Sequence, residues 1–383
     1  MTFFTSINNC YLPKARVLAK SIKQFMPDSL FVLILSDKIP DFFNLGEEPF
    51  DEIISIEDLG IPVDNLDLWI YLHSIVELCT AVKGQALLNL LEKHEKVVYL
   101  DPDIVLFSDL HLLEELLDQY DIIFTPHLTV PEENDKYVII NEICSLNHGV
   151  YNFGFFAVKS SKNGKLYAKW YRDRLLKYCK DDKANGLFTD QRWGDLAPAM
   201  FNNLYIWKHP GANVCVWNLS HRFVNKHGDK YYSNDEPLLF YHFSGFDSGA
   251  NSSMLDIFAN GNSELYKLND WYKEEIDKNG QQKYCYCKCF YSQYYDGTFI
   301  TEEERNLIKN DQDVYSNFLK SNPFQKEGNS YYSWFMNEMK NNKRFYQSKN
   351  DILNELNNVY NSRSWRFTAP LRKIAALLRK NHE

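Results

Sequence analysis

Asp101-Pro102-Asp103 sets two carboxylates two residues apart, directly after the apolar run Val97-Val98-Tyr99-Leu100. That run is short, continuous and rich in β-branched and aromatic side chains, the pattern of a strand buried on both faces of a parallel sheet. Pro102 has no amide hydrogen to donate and restricts the residue before it, so regular pairing is expected to stop there. The carboxyl end of a central strand is where open α/β sheets bind ligands. Two like charges are costly to hold so close unless a cation lies between them. Oxygen ligands with a pyrophosphate nearby would suit Mg2+ or Mn2+. The same three residues also make an ordinary solvated turn, so the rest of the chain has to decide between the two.

The elements that must position them alternate between strand and helix through the first half of the chain. Strands are expected at 2–7, 31–35, 52–56, 97–100 and 122–124, and helices over 12–25, 77–91 and 112–117. This alternation predicts an α/β fold with a mainly parallel central sheet flanked by helices. A further strand over 150–158 is interrupted by Asn152 and Gly154, and glycine within a strand often marks a close approach by a ligand or another backbone. A long helix over about 164–178, the segment Phe188-Thr189-Asp190-Gln191, and short strands near 204–207, 214–217 and 238–242 follow. From about Ser248 the chain becomes rich in Tyr, Asn and Lys and loses clear periodicity. Three parts are expected: a catalytic domain over 1–250, an accessory Tyr-rich region over 251–345, and a helical tail over 346–383.

The 383 residues carry a net charge of −9, which argues against nucleic acid as the main partner. Hydrophobic residues make up 45% and charged residues 24%, the balance of a soluble globular protein. The chain opens on a strand rather than a leader, and no run approaches the length of a membrane span. The eight cysteines are expected to be reduced thiols in the cytoplasm. On a strand, Cys285, Cys287 and Cys289 would share one face, but a metal site would want a second pair at CxxC spacing.

In order along residues 2–247, the chain resembles retaining glycosyltransferases of the A-type (GT-A) fold, particularly the family-8 enzymes and their bacterial polysaccharide and lipopolysaccharide relatives. Ser6-Ile7-Asn8-Asn9-Cys10-Tyr11 looks like the family's nucleotide-binding first loop, where Tyr11 would stack on uracil and Thr5 and Ser6 would contact the donor. Asp101-Pro102-Asp103 is similar to its Asp-x-Asp metal motif. Tyr151-Asn152-Phe153-Gly154 corresponds to a strand whose Asn faces the donor sugar, and Asp190-Gln191 to an acidic-amide pair beneath the anomeric carbon. His242-Phe243-Ser244-Gly245 resembles the motif that completes the metal site and contacts the diphosphate. The lysine usual three residues after that glycine is Ser248 here, which shifts diphosphate neutralisation onto the metal and another base, Lys83 being a candidate.

Each of these residues also has a plainer reading. Asp101, Asp103 and His242 make a donor set that favours Mn2+ over Mg2+ and differs from the nitrogen and sulfur shell of structural zinc, yet His242 alone could be a hydrogen-bonded core histidine. Tyr11 could pack beneath its loop, and Lys83 could snorkel off a helix surface. Asn152 could belong to a structural network, and Thr189 and Asp190 could cap a helix. His221 and Arg222 could line an acceptor cleft or an ordinary loop; His127, Glu142 and His148 are further cleft candidates.

In the tail, Thr368 could cap a helix with Pro370 in its first turn. Leu371, Ile374, Ala375 and Leu378 then share a stripe beside Arg372, Lys373, Arg379 and Lys380, the pattern of a membrane-surface helix drawn to anionic lipid. A docked helix with a solvated basic face is the alternative. The resulting expectation is a metal-dependent glycosyltransferase that moves a hexose from a UDP-sugar to a lipopolysaccharide, capsule or similar lipid-linked acceptor. It would work at the cytoplasmic face of the membrane, with residues 363–380 in peripheral contact. A nucleotide-sugar hydrolase or nucleotidyltransferase is the nearest rival, although Asn8-Asn9-Cys10-Tyr11 lacks a Gly-rich phosphate loop. A non-catalytic glycan-binding protein is the other.

Overall fold

Strict alternation along the strands separates two cores. Phe3, Phe31, Leu33, Val98, Leu100, Ile123, Phe155 and Ala157 bury on one face of the central sheet. Phe4, Val32, Ile34, Val97, Tyr99, Phe124, Phe156 and Val158 bury on the other. Because both faces are covered, the strands read as continuous apolar runs rather than as alternating ones. Each of the large aliphatic and Phe side chains among them contributes roughly 1.5–3 kcal/mol on burial. The computed structural model describes residues 1–40, 43–259 and 261–341; the tail helix expected beyond 346 lies outside them.

The labelled strands are β1 (Thr2–Ile7), β2 (Leu30–Leu35), β3 (Glu52–Ser55), β4 (Lys96–Leu100), β5 (Ile104–Leu106), β6 (Ile122–Pro126), β7 (Tyr151–Lys159), β8 (Leu204–Ile206), β9 (Val214–Cys215) and β10 (Phe240–His242). The seven-stranded sheet runs in the order β8-β6-β7-β4-β1-β2-β3. Only β7 is antiparallel to its neighbours. This is the mainly parallel α/β architecture that the sequence predicts.

The reversal of β7 matters for function. Its first residues, not its last, lie beside the carboxyl end of β4: Leu100 pairs with Phe155, and the Asp101 amide donates to the Gly154 carbonyl at 2.8 Å. A second, three-stranded sheet has the order β9-β10-β5. There β10 runs antiparallel to β5 and brings His242 opposite Ile104.

Two local expectations are corrected. The helix expected over 77–91 is two helices, Ile75–Ala81 and Lys83–Lys93. Ser74 and Glu77 form a reciprocal capping box that starts the first one earlier. The Cys285–Cys289 segment is not a strand: helix Gln281–Tyr284 leads into it and the turn Phe290–Ser292 follows, so its thiols do not share a sheet face, and all eight cysteines are free.

The chain after residue 248 forms helices despite its weak periodicity, including Ala250–Phe258, Ser263–Lys278, Glu302–Asn310, Gln312–Phe318 and Tyr331–Asn341. Their buried sides mix apolar residues at helical spacing, such as Leu265, Leu268 and Ile276, with residues that carry polar ends, such as Tyr272 and Arg305. Tyr294 donates to Glu304 at 2.7 Å and faces the Tyr71 hydroxyl at 3.2 Å. The buried Arg305 donates to the carbonyls of Tyr71, His73 and Tyr291 at 2.5–3.1 Å. Tyr291, Tyr294, Ile308, Val314, Phe324 and Tyr331 thereby share a core with Phe4, Tyr71 and Tyr99.

Candidate active site

The carboxyl end of β4 and the start of β5 carry Asp101 and Asp103, and β10 brings His242 to them because the Phe243 amide donates to the Asp103 carbonyl at 2.9 Å. His242 Nε2 lies 3.1 Å from Asp103 Oδ1 and 3.8 Å from Asp101 Oδ2. One ligand atom from each of the three lies within 4.8 Å of the others, a group that could hold a metal ion. Burial disfavours charge on His242, but Asp103 and then Asp101 outweigh it and raise the imidazole pKa above its ordinary value. Burial likewise pushes the Asp103 carboxyl up, yet His242 and more weakly Lys14 bring it below the usual range. Two carboxylates and an imidazole, mutually oriented, suit a hard divalent cation.

Gly154 makes this packing possible. A Cβ there would overlap the His242 ring at Cε1 and stand 2.7 Å from Nδ1. The close approach marked by this glycine is therefore a side chain, not a ligand. Gly154→Ala is expected to displace His242 and cost about 1–3 kcal/mol by overpacking. Thermal unfolding and Mn2+ titration check this; wild-type values in both would refute it.

Lys83 is not a surface lysine. It is buried, with Nζ 3.1 Å from Asp190 Oδ2, 3.4 Å from Asp101 Oδ1 and 4.1 Å from the centre of the Tyr99 ring. Desolvation opposes its charge, but Asp101 and Asp190 raise its pKa well above the ordinary lysine value. The Tyr99 hydroxyl donates to Asp101 at 2.5 Å and the Tyr171 hydroxyl to Asp190 at 2.8 Å. Nothing in the sequence marks these two tyrosines, which look like ordinary core aromatics.

Asp190 precedes the short helix Gln191–Gly194 but makes no side-chain cap bond. Its carboxylate turns inward to Lys83 and Tyr171, so the capping alternative does not hold. Gln191 accepts from the Phe153 amide at 3.2 Å and donates to the His148 carbonyl at 3.0 Å. Asn152 accepts from the Gly154 amide at 3.0 Å and lies 3.8 Å from Cys215 Sγ. Tyr11 is 36% exposed, and Lys14 Nζ sits 4.4 Å from its ring centre. Lys14 also pairs with Asp247; the sequence reading did not single it out. Ser248 donates to the Gly245 carbonyl at 3.2 Å.

One cavity of about 1150 Å3 takes in Ser6, Tyr11, Lys83, Asp101, Asp103, Asn152, Asp190, Gln191, His242 and Ser244. Thr5 is fully buried within β1, and Gly245 holds a turn at φ +74; neither lines the cavity. His127 and His148 line it, and burial lowers the His127 pKa to about 4, leaving it neutral near pH 7. Glu142, His221 and Arg222 do not line it. Glu142 accepts from the Glu132 amide, His221 Nε2 lies 3.0 Å from Glu132, and Arg222 donates to the carbonyls of Pro210 and Ala212. The missed part of the cavity is distant in sequence: Glu302, Arg305, Asn306, Lys309 and Asn310 form one wall.

A mainly parallel α/β sheet with an Asp-Asp-His group at its carboxyl edge, opening into one long cavity, defines the class of this protein. No family model matches the chain. Two proteins of Bacillus subtilis (strain 168) are similar in sequence. Uncharacterized protein YfnF is 28% identical over 206 residues, 52% of this chain and 67% of its own. Uncharacterized protein YfnD is 26% identical over 250 residues, 64% of this chain and 77% of its own. Among solved structures, galactosyltransferase LgtC in complex with donor and acceptor sugar analogues is 17% identical, covering 73% of this chain and 96% of its own at a TM-score of 0.41. The glycosyltransferase GlyE of Streptococcus pneumoniae TIGR4 is 16% identical, covering 72% and 64% at a TM-score of 0.41.

Proposed function

We propose that the protein is a metal-dependent, retaining glycosyltransferase that moves a hexose from a UDP-sugar to a hydroxyl of a bacterial surface glycan. The observation that carries this reading is the Asp101, Asp103 and His242 group sharing one cavity with Lys83, Asp190 and Gln191. Asp101, Asp103 and His242 would hold Mn2+ or Mg2+, which supplies Lewis-acid stabilisation of the charge gathered by departing UDP. Tyr11, exposed at the cavity, offers its ring to the uracil, and Ser6, Asn152 and Ser244 are the proposed polar contacts of the donor. Thr5 and Gly245 would act on the donor only through the shape of the loops that carry Ser6 and Ser244.

In the transfer, the bond from the anomeric carbon to the diphosphate breaks with its electron pair leaving on UDP. The acceptor oxygen bonds to that carbon, and its proton passes to the departing phosphate. Asp190, held by Lys83 and Tyr171, would stabilise positive charge at the sugar ring. Gln191 is an amide and hence a weak nucleophile, with its oxygen already accepting from Phe153, which favours same-face attack over a covalent intermediate on that residue. UDP release from a panel of UDP-sugars with Mn2+, abolished by EDTA and restored by the metal, is the expected result. Absence of metal-dependent turnover with every donor refutes the reading.

Among the described residues no helix is long and apolar enough to cross a membrane. We propose peripheral attachment to the cytoplasmic face through residues 363–380, on the basic and apolar stripes of their sequence. Removing 363–383 is then expected to leave soluble turnover intact and release the protein from anionic vesicles. Equal co-sedimentation of the full and shortened chains would contradict this.

A further inference from the structure

The cavity is longer than the cluster of metal and donor residues, and its far wall is the helix Glu302–Asn310. Glu302, Asn306 and Asn310 recur every four residues, so they form one stripe on this helix, and all three line the cavity. The three are exposed, and no hydrogen bond or ion pair occupies their side chains among the described residues.

The helix beneath them is rigidly placed. Thr301 and Glu304 form a reciprocal capping box at its start. Arg305 is anchored on three backbone carbonyls, and Lys309 donates to both oxygens of Glu77 at 2.9 and 3.1 Å. Glu77 in turn accepts from the amides of Ser74 and Asp181 at 2.9 and 3.2 Å. That joins the wall to the helix Ile75–Ala81 and to the segment leading toward Asp190.

The two cations of this helix, Arg305 and Lys309, are thus already compensated. The groups this helix leaves free to meet a ligand are two amides and a carboxylate, which together both donate and accept, while Lys180 on the cavity lining is the cation that competes with this reading. Carbohydrate hydroxyls need this mixture, whereas a phosphate or carboxylate would need free cations or amide clusters. Ile75, Val76 and Phe188 line the same cavity and offer apolar surface for the C–H faces of a pyranose ring. The rigid helix fixes where these groups start from, so a ligand has only their side-chain rotamers to order.

We infer that the Glu302, Asn306 and Asn310 stripe is the acceptor-binding wall of the cleft and that it takes a neutral, hydroxyl-rich saccharide. This rests on the glycosyltransferase reading and deepens it: the N-terminal sheet binds the donor, and a helix some two hundred residues further on selects the acceptor.

The test uses the full chain with Mn2+ and its best UDP-sugar, and measures UDP release alone and with a panel of neutral oligosaccharides, sugar phosphates and hydroxyl-bearing peptides. Neutral oligosaccharides are expected to speed UDP release above hydrolysis. Asn306→Ala combined with Asn310→Ala should raise the acceptor KM about tenfold or more, the loss of two hydrogen bonds, and leave hydrolysis without acceptor unchanged. Alanine is the better helix former at both positions, so the variant is expected to fold. Glu303→Ala, on the same helix but away from the cavity, should change neither quantity.

Stimulation by sugar phosphates or peptides but not by neutral glycans, an unchanged acceptor KM in the double variant, or no stimulation by any compound overturns the assignment. So does an acceptor KM that moves with Lys180→Met and not with the asparagines, because Lys180 is a cation lining the same cavity. Absence of UDP release even without acceptor marks a different failure, that of the glycosyltransferase reading itself.

Discussion

Asp103→Ala is expected to abolish Mn2+-dependent UDP binding and to lower UDP-sugar turnover about a hundredfold or more. Loss of groups that merely support a ligand already costs 10–100-fold, about the least that a ligand itself should contribute. Asp103 is also the nearest anion to His242, at 3.1 Å. Without it the imidazole loses the largest influence holding its pKa up, so two of the three proposed ligands change together. The fold should survive, because the bond that registers β10 against this segment runs from the Phe243 amide to the Asp103 main-chain carbonyl, which alanine keeps. Calorimetric titration with Mn2+ and UDP, beside a turnover assay and a circular dichroism spectrum, measures all three. Retained metal-dependent binding would remove Asp103 from the site.

Lys83→Met is expected to have the largest effect on stability. Methionine matches the volume of the lysine stem but leaves Asp101 and Asp190 without the cation between them. Removing one partner from a buried charge group costs about 3–5 kcal/mol, well above the 0–1 kcal/mol of a surface pair. Turnover should fall as well, because among the described residues Asp190 is held by Lys83 at 3.1 Å and Tyr171 at 2.8 Å, apart from its neighbour Thr189. Adding Asp190→Asn to Lys83→Met should recover part of the lost stability, since the unpaired buried charge disappears. The measurement is urea unfolding of both single variants and the double variant, read as a coupling energy. If Lys83→Met moves the midpoint no further than Lys93→Met at an exposed lysine, the buried network is not as described.

Legibility in the sequence followed the range of the interactions involved. The run 97–100 announced a buried strand because both faces of β4 are covered, a property written into four consecutive residues. Asp101 and Asp103 were legible because a strand end and a proline are local facts. The start of the helix Ile75–Ala81 was also local, carried by Ser74 and Glu77, and the expected helix over 77–91 missed it by resting on the run of good helix formers after Glu77. The helices after residue 248 were obscured for another reason. Leu265, Leu268 and Ile276 do keep a helical spacing, but buried Tyr272, Tyr331 and Arg305 are interleaved with such residues and their polar character thins the apolar pattern across the region.

The sequence by itself determined the α/β class, the strand end that carries the acidic pair, and the residue types from which a cation site and the proposed donor site could be drawn. These depend on patterns within a few residues and on the chemistry of side chains. Only the tertiary structure decided which of those residues meet. Lys83 became a buried partner of Asp190, 107 positions away, and the reversed strand β7 set Gly154 against His242. Glu302, Asn306 and Asn310 joined a cavity whose other residues begin at Ser6. Such proximities arise from packing between elements far apart in the chain, where loop length constrains distance only weakly, and no local spacing encodes them.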